Sequence, residues 1–244
     1  MIELRSVIEL RGATVTAPSA DGAVTILHPV TLDLTEPRIS VIGGNGSGKS
    51  TLARLINGLI EPSTGSVEIV AGGSADGTDE QRFDTRRDGA AVRRRVGFVF
   101  TDPSAQLIMP TVIEDVSLSL RRTHRDKAER HTAAMAVLDR FGIGHLANHS
   151  VHTLSGGQKQ LLAIASVLAT DPAILVADEP TTLLDLRNSQ IIGDLLMSIP
   201  QQVCLVTHDL TLAARADRTL VVEDGRIVFD GAPADAVANY RARV

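Results

Sequence analysis

Four short stretches hold residues whose types and spacing could do chemistry. GGNGSGKS (43–50) has the spacing G-x-x-x-x-G-K-S, with Gly43, Gly48, Lys49 and Ser50 in register. Glycines at 43, 44, 46 and 48 let backbone N–H groups turn inward around phosphate oxygens, with Asn45, Ser47 and Thr51 completing the loop. Lys49 is spaced to reach β- and γ-phosphates, and the Ser50 hydroxyl can ligate Mg²⁺. AILVADEP (173–180) ends in two adjacent carboxylates. Asp178 suits Mg²⁺ held through its water shell, and Glu179 suits orienting or deprotonating an attacking water. VCLVTHD (203–209) puts His208 after another apolar run, placed for a γ-phosphate contact. GFVFTDPSAQ (97–106) runs from apolar residues into Thr101, with Gln106 five positions on.

Each of these stretches falls at or just past the end of a run that reads as a strand: 38–44, 96–100, 173–178 and 203–208. Ligands of open α/β sheets collect at such carboxyl ends. Helical spacing follows in 49–60, 156–169 and 186–199, and a helix opening after glycines adds a partial positive charge toward phosphate. Residues 7–16 and 30–35 alternate as antiparallel strands, 66–72 reads as a strand, and 72–80 as a polar loop. From 111 to 152 the chain turns helical. Thr111 and Glu114 have capping-box spacing, 126–141 is a helix, and Gly142 is its stop. Asp224-Gly225 marks a hairpin within 218–231, and a short helix follows Pro233. The Arg-rich patch 82–95 reads as a solvated loop. The expected fold is α/β: a parallel core of 1–100 and 153–244 with an antiparallel β margin, interrupted by a helical subdomain at 101–152.

Composition limits what this machinery could serve. The chain has 244 residues, enough for one large domain. Aromatics make up only 2%, with no Trp and one Tyr, so the core is aliphatic and base stacking is a poor recognition mode. A net charge of −5 gives no global field for nucleic acid or anionic lipid. A single cysteine, Cys204, rules out an intramolecular disulfide and points to a reducing compartment. The opening MIELRSVIELRG shows no signal-peptide pattern. LLAIASVLA (161–169) falls short of the ~20 residues that span a bilayer, so work at a membrane would be done from outside the lipid.

TLSGGQKQ (153–160) adds the family. With the phosphate loop, the Asp-Glu pair and His208 in this order around it, the whole chain resembles the ATPase subunit of an ABC transporter, a P-loop cassette with a RecA-like core. The resemblance implies ATP and Mg²⁺ as ligands. It also implies that Leu154, Ser155, Gly156, Gly157 and Gln158 form a signature reaching the γ-phosphate bound by a neighbouring subunit. One signature per chain then implies a dimer of cassettes, identical or paired. TTLLDL (181–186) is similar to the D-loop, with Asp185 at the subunit interface and Leu184 where many relatives have Gly. VFTDPSAQLIMPTVIEDV (99–116) and SVLA (166–169) resemble the ATPases of energy-coupling-factor (ECF) importers, which serve vitamins and transition-metal ions through a membrane scaffold and a substrate-binding membrane protein. IGGNGSGKST and EPTTLLDLRN resemble a biotin-system ATPase.

That resemblance implies a peripheral position on the cytoplasmic side of the cell membrane, with 101–152 as docking surface. ATPases of other ABC importers or exporters share the core motifs. Soluble non-transport ABC ATPases acting on ribosomes or nucleic acid usually have two cassettes or a coiled-coil arm, and this chain shows neither. Two positions depart from the family. Thr101 stands where relatives place the glutamine linking Mg²⁺ to the membrane partner, and is expected to meet Mg²⁺ only through water. Ala17 stands near the adenine-stacking aromatic, and Arg11 is a candidate to lie over the base instead.

Overall fold

The computed structural model describes residues 6–20, 22–71 and 80–243. The loop expected at 72–80 lies, except for Glu80, outside them. A long hairpin, β1 (Val7–Ser19) and β2 (Gly22–Leu34), leads into β3 (Arg38–Ile42) and α1 (Lys49–Asn57). Next come β4 (Thr64–Ala71), β5 (Gln81–Asp84), α2 (Gly89–Arg95) and β6 (Val96–Val99). The helical stretch holds α3 (Val112–Ser119) and α4 (Lys127–Arg140), and α5 (Gly156–Leu168) returns to β7 (Ile174–Asp178). The chain closes with α6 (Leu186–Ser198), β8 (Gln202–Val206), α7 (Leu210–Ala213), β9 (Arg218–Glu223), β10 (Arg226–Gly231) and α8 (Pro233–Arg241).

Two sheets result, one antiparallel in the order β2-β1-β4-β5 and one in the order β10-β9-β3-β8-β7-β6. In the larger sheet β9, β3, β8, β7 and β6 run parallel, and only β10 is antiparallel. Period-two alternation sorts the strand residues between layers. Val176, Cys204 and Val206 pack with Leu52, Leu55 and Ile56 of α1 and with Ile8 and Leu10 of β1. Their neighbours Leu175, Ala177, Val203 and Leu205 face the other way, onto Ile164 of α5 and Ile192 and Leu196 of α6. Cys204 is fully buried, and burial pushes its thiol up to about 12, so it is an inert core residue. A separate cluster joins Val112 and Val116 of α3, Leu138 of α4 and Leu162 of α5.

Three expectations change. β2 begins at Gly22, well before 30, because it pairs with β1 as far as Ser19↔Gly22. The patch 82–95 is no loop: it supplies β5 and α2, with Arg82 bonded to Glu9 and Glu68 and Arg95 stacked over the Phe83 ring. The Thr111 capping box does not form, since the Thr111 hydroxyl donates to the Glu114 carboxylate (2.7 Å) rather than accepting a backbone N–H. Elsewhere local signals hold. Asp126 caps α4 through Ala128 and Glu129 N–H, and Gly142 follows the helix at φ 71°. Asp224 and Gly225 take φ 47° and 71°, a primed turn that suits the strand twist.

Candidate active site

The sheet order β3-β8-β7-β6 sets four adjacent parallel strand ends side by side. The phosphate loop leaves β3, His208 follows β8, Asp178 ends β7 and Thr101 follows β6. Backbone bonds continue the alignment past the strands: Thr207 N–H donates to Val41 C=O (3.1 Å) and Glu179 N–H to Val206 C=O (2.9 Å).

The loop from Gly43 to Gly48 is shaped before any ligand contact is considered. A Cβ on Gly43, at φ 150°, would stand 2.1 Å from the Val222 carbonyl oxygen, so only glycine fits. From the far side, Gly225 N–H donates to Ser47 C=O (2.8 Å) and clamps the loop to the β9–β10 turn. Lys49 folds back over the loop and donates through Nζ to the carbonyls of Gly43 and Gly44, both at 2.8 Å. Burial holds its ammonium below the ordinary lysine value, with partial relief from Glu179 and Asp178. An ammonium has three donors, so one stays available to a phosphate oxygen.

Ser50, on the first turn of α1, donates to Asp178 Oδ1 at 2.8 Å. Asp178 is 2% exposed, and burial raises its carboxyl above the ordinary range despite the Ser50 bond. Glu179 adopts the left-handed region, φ 52°, a strained setting for a residue with a side chain. Its Oε2 accepts from Thr182 Oγ1 (2.9 Å), from His208 Nδ1 (2.7 Å) and from His208 N–H (3.3 Å). All three bonds converge on Oε2. Against an ionised Glu179, His208 Nδ1 carries the proton, and a neutral ring then offers only a lone pair at Nε2.

Thr101 Oγ1 donates to the backbone carbonyl of Asp178 (2.9 Å), tying the ends of β6 and β7. Gln106 turns back to accept from Phe100 N–H (3.3 Å) and donate to Ala163 C=O (3.4 Å). At the signature, Ser155 caps α5 in a reciprocal box. Its hydroxyl accepts from Gln158 N–H (3.3 Å), and Gln158 Oε1 accepts from Ser155 N–H (2.9 Å). A Cβ on Gly157 would meet Asn188 Oδ1 at 2.4 Å. Asp185 caps α6 and holds Asn188 through both its N–H and its amide, so the signature and the D-loop segment share a wall. Leu183 and Leu186 stand exposed beside it.

Arg11 pairs with Asp33 and Glu9, and would have to leave both to cover a base. Ala17 pairs with Val24 in the β1–β2 hairpin. From that hairpin Ile26 lines a cavity of about 290 Å³ with residues 45–51 and Glu179, and the Leu27 side chain comes within 3.7 Å of where a Cβ on Gly48 would stand. Sequence reasoning missed Ile26, whose placement depends on bulges in the β1–β2 register. It also missed Thr182, although a Thr three residues past Glu179 is a local turn signal.

The sequence profile of the ABC transporter family matches residues 27–182. The biotin transport ATP-binding protein BioM of Rhizobium etli is 45% identical over 220 residues, 90% of this chain and 93% of that protein. The structure of cbiO1 from Clostridium perfringens, part of the ABC transporter complex cbiONQ, matches with a TM-score of 0.78 at 29% identity, covering 98% of this chain and 94% of that one. A dimeric ATP-binding cassette, MJ0796, in a post-hydrolysis state bound to ADP and Pi, matches with a TM-score of 0.77 at 30% identity, covering 93% and 98%. The chain belongs to the ABC transporter family, as an ATP-binding and ATP-hydrolysing subunit coupled to transport.

Proposed function

We propose that this subunit powers an ECF-type importer for a vitamin or transition-metal ion, with biotin as the specific candidate. The BioM relative supports the substrate, and cbiO1 supports the type of complex. No described helix is long and apolar enough to cross a membrane. On this reading the subunit sits peripherally on the cytoplasmic face, as the match to part of the cbiONQ transporter complex supports, with the helical subdomain 101–152 turned toward a transmembrane scaffold and its substrate-binding membrane protein.

The observation that carries the chemistry is the edge itself, where Lys49, the Ser50–Asp178 pair and the Glu179–His208 pair adjoin. ATP lies between the phosphate loop of one subunit and Leu154–Gln158 of a second, identical or paired cassette, as the dimeric MJ0796 match supports. Asp185 borders the same interface. Ser50 and Asp178 meet at 2.8 Å as hard oxygen donors, few enough to suit Mg²⁺ that keeps waters and phosphate oxygens as its other ligands. When bound, Mg²⁺ neutralises charge on the phosphate oxygens. Lys49 turns its remaining donor to the β/γ-phosphates. Glu179, its Oε2 fixed by Thr182 and His208, presents Oε1 to the in-line water. His208 reaches the γ-phosphate through Nε2 only as the imidazolium, or after releasing Glu179. Thr101 meets Mg²⁺ only through water, its side chain being about two bonds shorter than the glutamine of relatives and tethered to Asp178 C=O.

Glu179→Gln is the test. ATP binding stays near wild type, hydrolysis falls by roughly 100-fold or more, and a nucleotide-bound dimer accumulates on size exclusion. Near-normal steady-state hydrolysis would refute the role. Purifying the intact complex and identifying its bound small molecule tests biotin, and another ligand would retire that candidate.

A further inference from the structure

Asp115 is a buried carboxylate whose donors are all uncharged. It is 5% exposed, in the first turn of α3. Oδ1 accepts from the backbone N–H groups of Ile108 (2.9 Å) and Met109 (3.2 Å), and Oδ2 accepts from the Ser166 hydroxyl (3.0 Å). The two N–H groups belong to the loop leaving the nucleotide edge after Thr101. The hydroxyl belongs to α5, the helix that Ser155 caps. Gln106 makes a second tie from this loop to α5, at Ala163 C=O. Ala163 and Ser166 are three residues apart and share one helix face. At the Asp115 tie the loop holds out the side chain of Ile108, 75% exposed.

We propose that Asp115 is a positioning residue that locks loop 101–110 to α5, so that displacement of the loop by the membrane partner is passed to the signature at Ser155. The inference rests on the docking reading of 101–152. Neither the loop nor α5 can shift alone without leaving buried polar groups unpaired. From Ser166 back to Ser155 is about 16 Å of continuous helix, rigid enough to move as one piece. Asp115 touches no nucleotide group and acts only through Ser166 and the loop backbone.

The test uses the reconstituted membrane complex and the isolated cassette in parallel. Ser166→Ala keeps the fold and cuts the Asp115 bond. The expected result is an isolated-cassette ATPase within about twofold of wild type and a normal KM. Stimulation by the membrane subunits falls about fivefold or more, while the cassette still co-purifies with them. Asp115→Asn, which keeps an acceptor for the loop and a donor for Ser166, restores most of the stimulation, whereas Asp115→Ala does not. Full stimulation in both Ser166→Ala and Asp115→Ala overturns the coupling and leaves the docking reading intact. Ile108→Asp checks that reading separately. If it still docks and is stimulated normally, the docking reading falls and this inference with it.

Discussion

Replacing Asp178 by Asn should make the nucleotide-free protein more stable while removing its activity. The carboxylate is 2% exposed, and the Ser50 hydroxyl at 2.8 Å is its side-chain donor. Burial is the largest influence on it and raises its carboxyl above the ordinary value near 3.8. Asn keeps the shape and still accepts from Ser50 but carries no buried charge. Losing the charge removes its desolvation cost, while Lys49 loses one of the two carboxylates that offset its own burial and keeps Glu179. The net gain expected is therefore small, about 1–2 kcal/mol, the ordinary size of a single-substitution effect. For a chain of this size that is roughly 2–8 °C in Tm.

The sign of the pH dependence follows from the direction of the shift. A folded-state carboxyl above its unfolded value binds its proton more tightly when folded, so stability falls as pH rises through that window. Wild type loses stability there and the Asn variant does not, so their Tm difference is full at neutral pH and vanishes near and below the ordinary carboxylate range. Differential scanning calorimetry is the suitable assay, since the chain has no Trp and one Tyr. Saturating MgATP reverses the order, because a ligand at 100 times its Kd adds about 2.7 kcal/mol to a protein that binds it and the variant binds it poorly. A lower Tm for the nucleotide-free variant at pH 7, or an equal difference at pH 4, would refute the picture of Asp178 as a buried, under-compensated charge.

Four further substitutions probe the same edge. Gly43→Ala should cost about 2–4 kcal/mol in denaturant unfolding, since its Cβ would press on the Val222 carbonyl at 2.1 Å. Gly44→Ala, with nothing within 4 Å of its Cβ, should cost less than about 1 kcal/mol. Lys49→Ala should weaken ATP binding by about 3 kcal/mol in calorimetry, more than 100-fold, as a charge-assisted contact is lost; unchanged affinity would count against the phosphate loop. Thr101→Gln should lower the Mg²⁺ concentration needed for half-maximal ATPase, and an unmoved Mg²⁺ titration would leave Thr101 as only a tie between β6 and β7.

What the sequence disclosed and what it withheld divide along a physical line. Motif chemistry is local, and parallel strands deliver their carboxyl ends to one edge, so the neighbourhood of Lys49, Asp178, Glu179, His208 and Thr101 was legible from apolar runs and glycines alone. Partner choice is not local. Arg82 looked like a solvated charge because Glu9 lies far away in sequence. His208 was assigned to phosphate, yet its nearest partner is Glu179, 29 residues before it. T-x-x-E at Thr111 and S-x-x-Q at Ser155 follow one pattern, but only the second closes on backbone N–H groups, because the Thr111 hydroxyl instead donates to its own box partner. A motif identifies atoms able to reach a ligand, and the fold decides which of them are already engaged. Here Lys49 holds two carbonyls, Ser50 holds Asp178, and His208 holds Glu179. Nucleotide binding can add to Lys49 through its third donor and to Ser50 through a lone pair, whereas a neutral His208 must exchange its Glu179 bond, so affinity there is set by differences between bonds. A substitution that weakens an internal bond without touching a ligand-facing atom can tighten binding. Thr182→Val fits that description. It removes one of the three donors on Glu179 Oε2, and should free the carboxylate at a cost to its orientation, separating nucleotide affinity from the rate of hydrolysis.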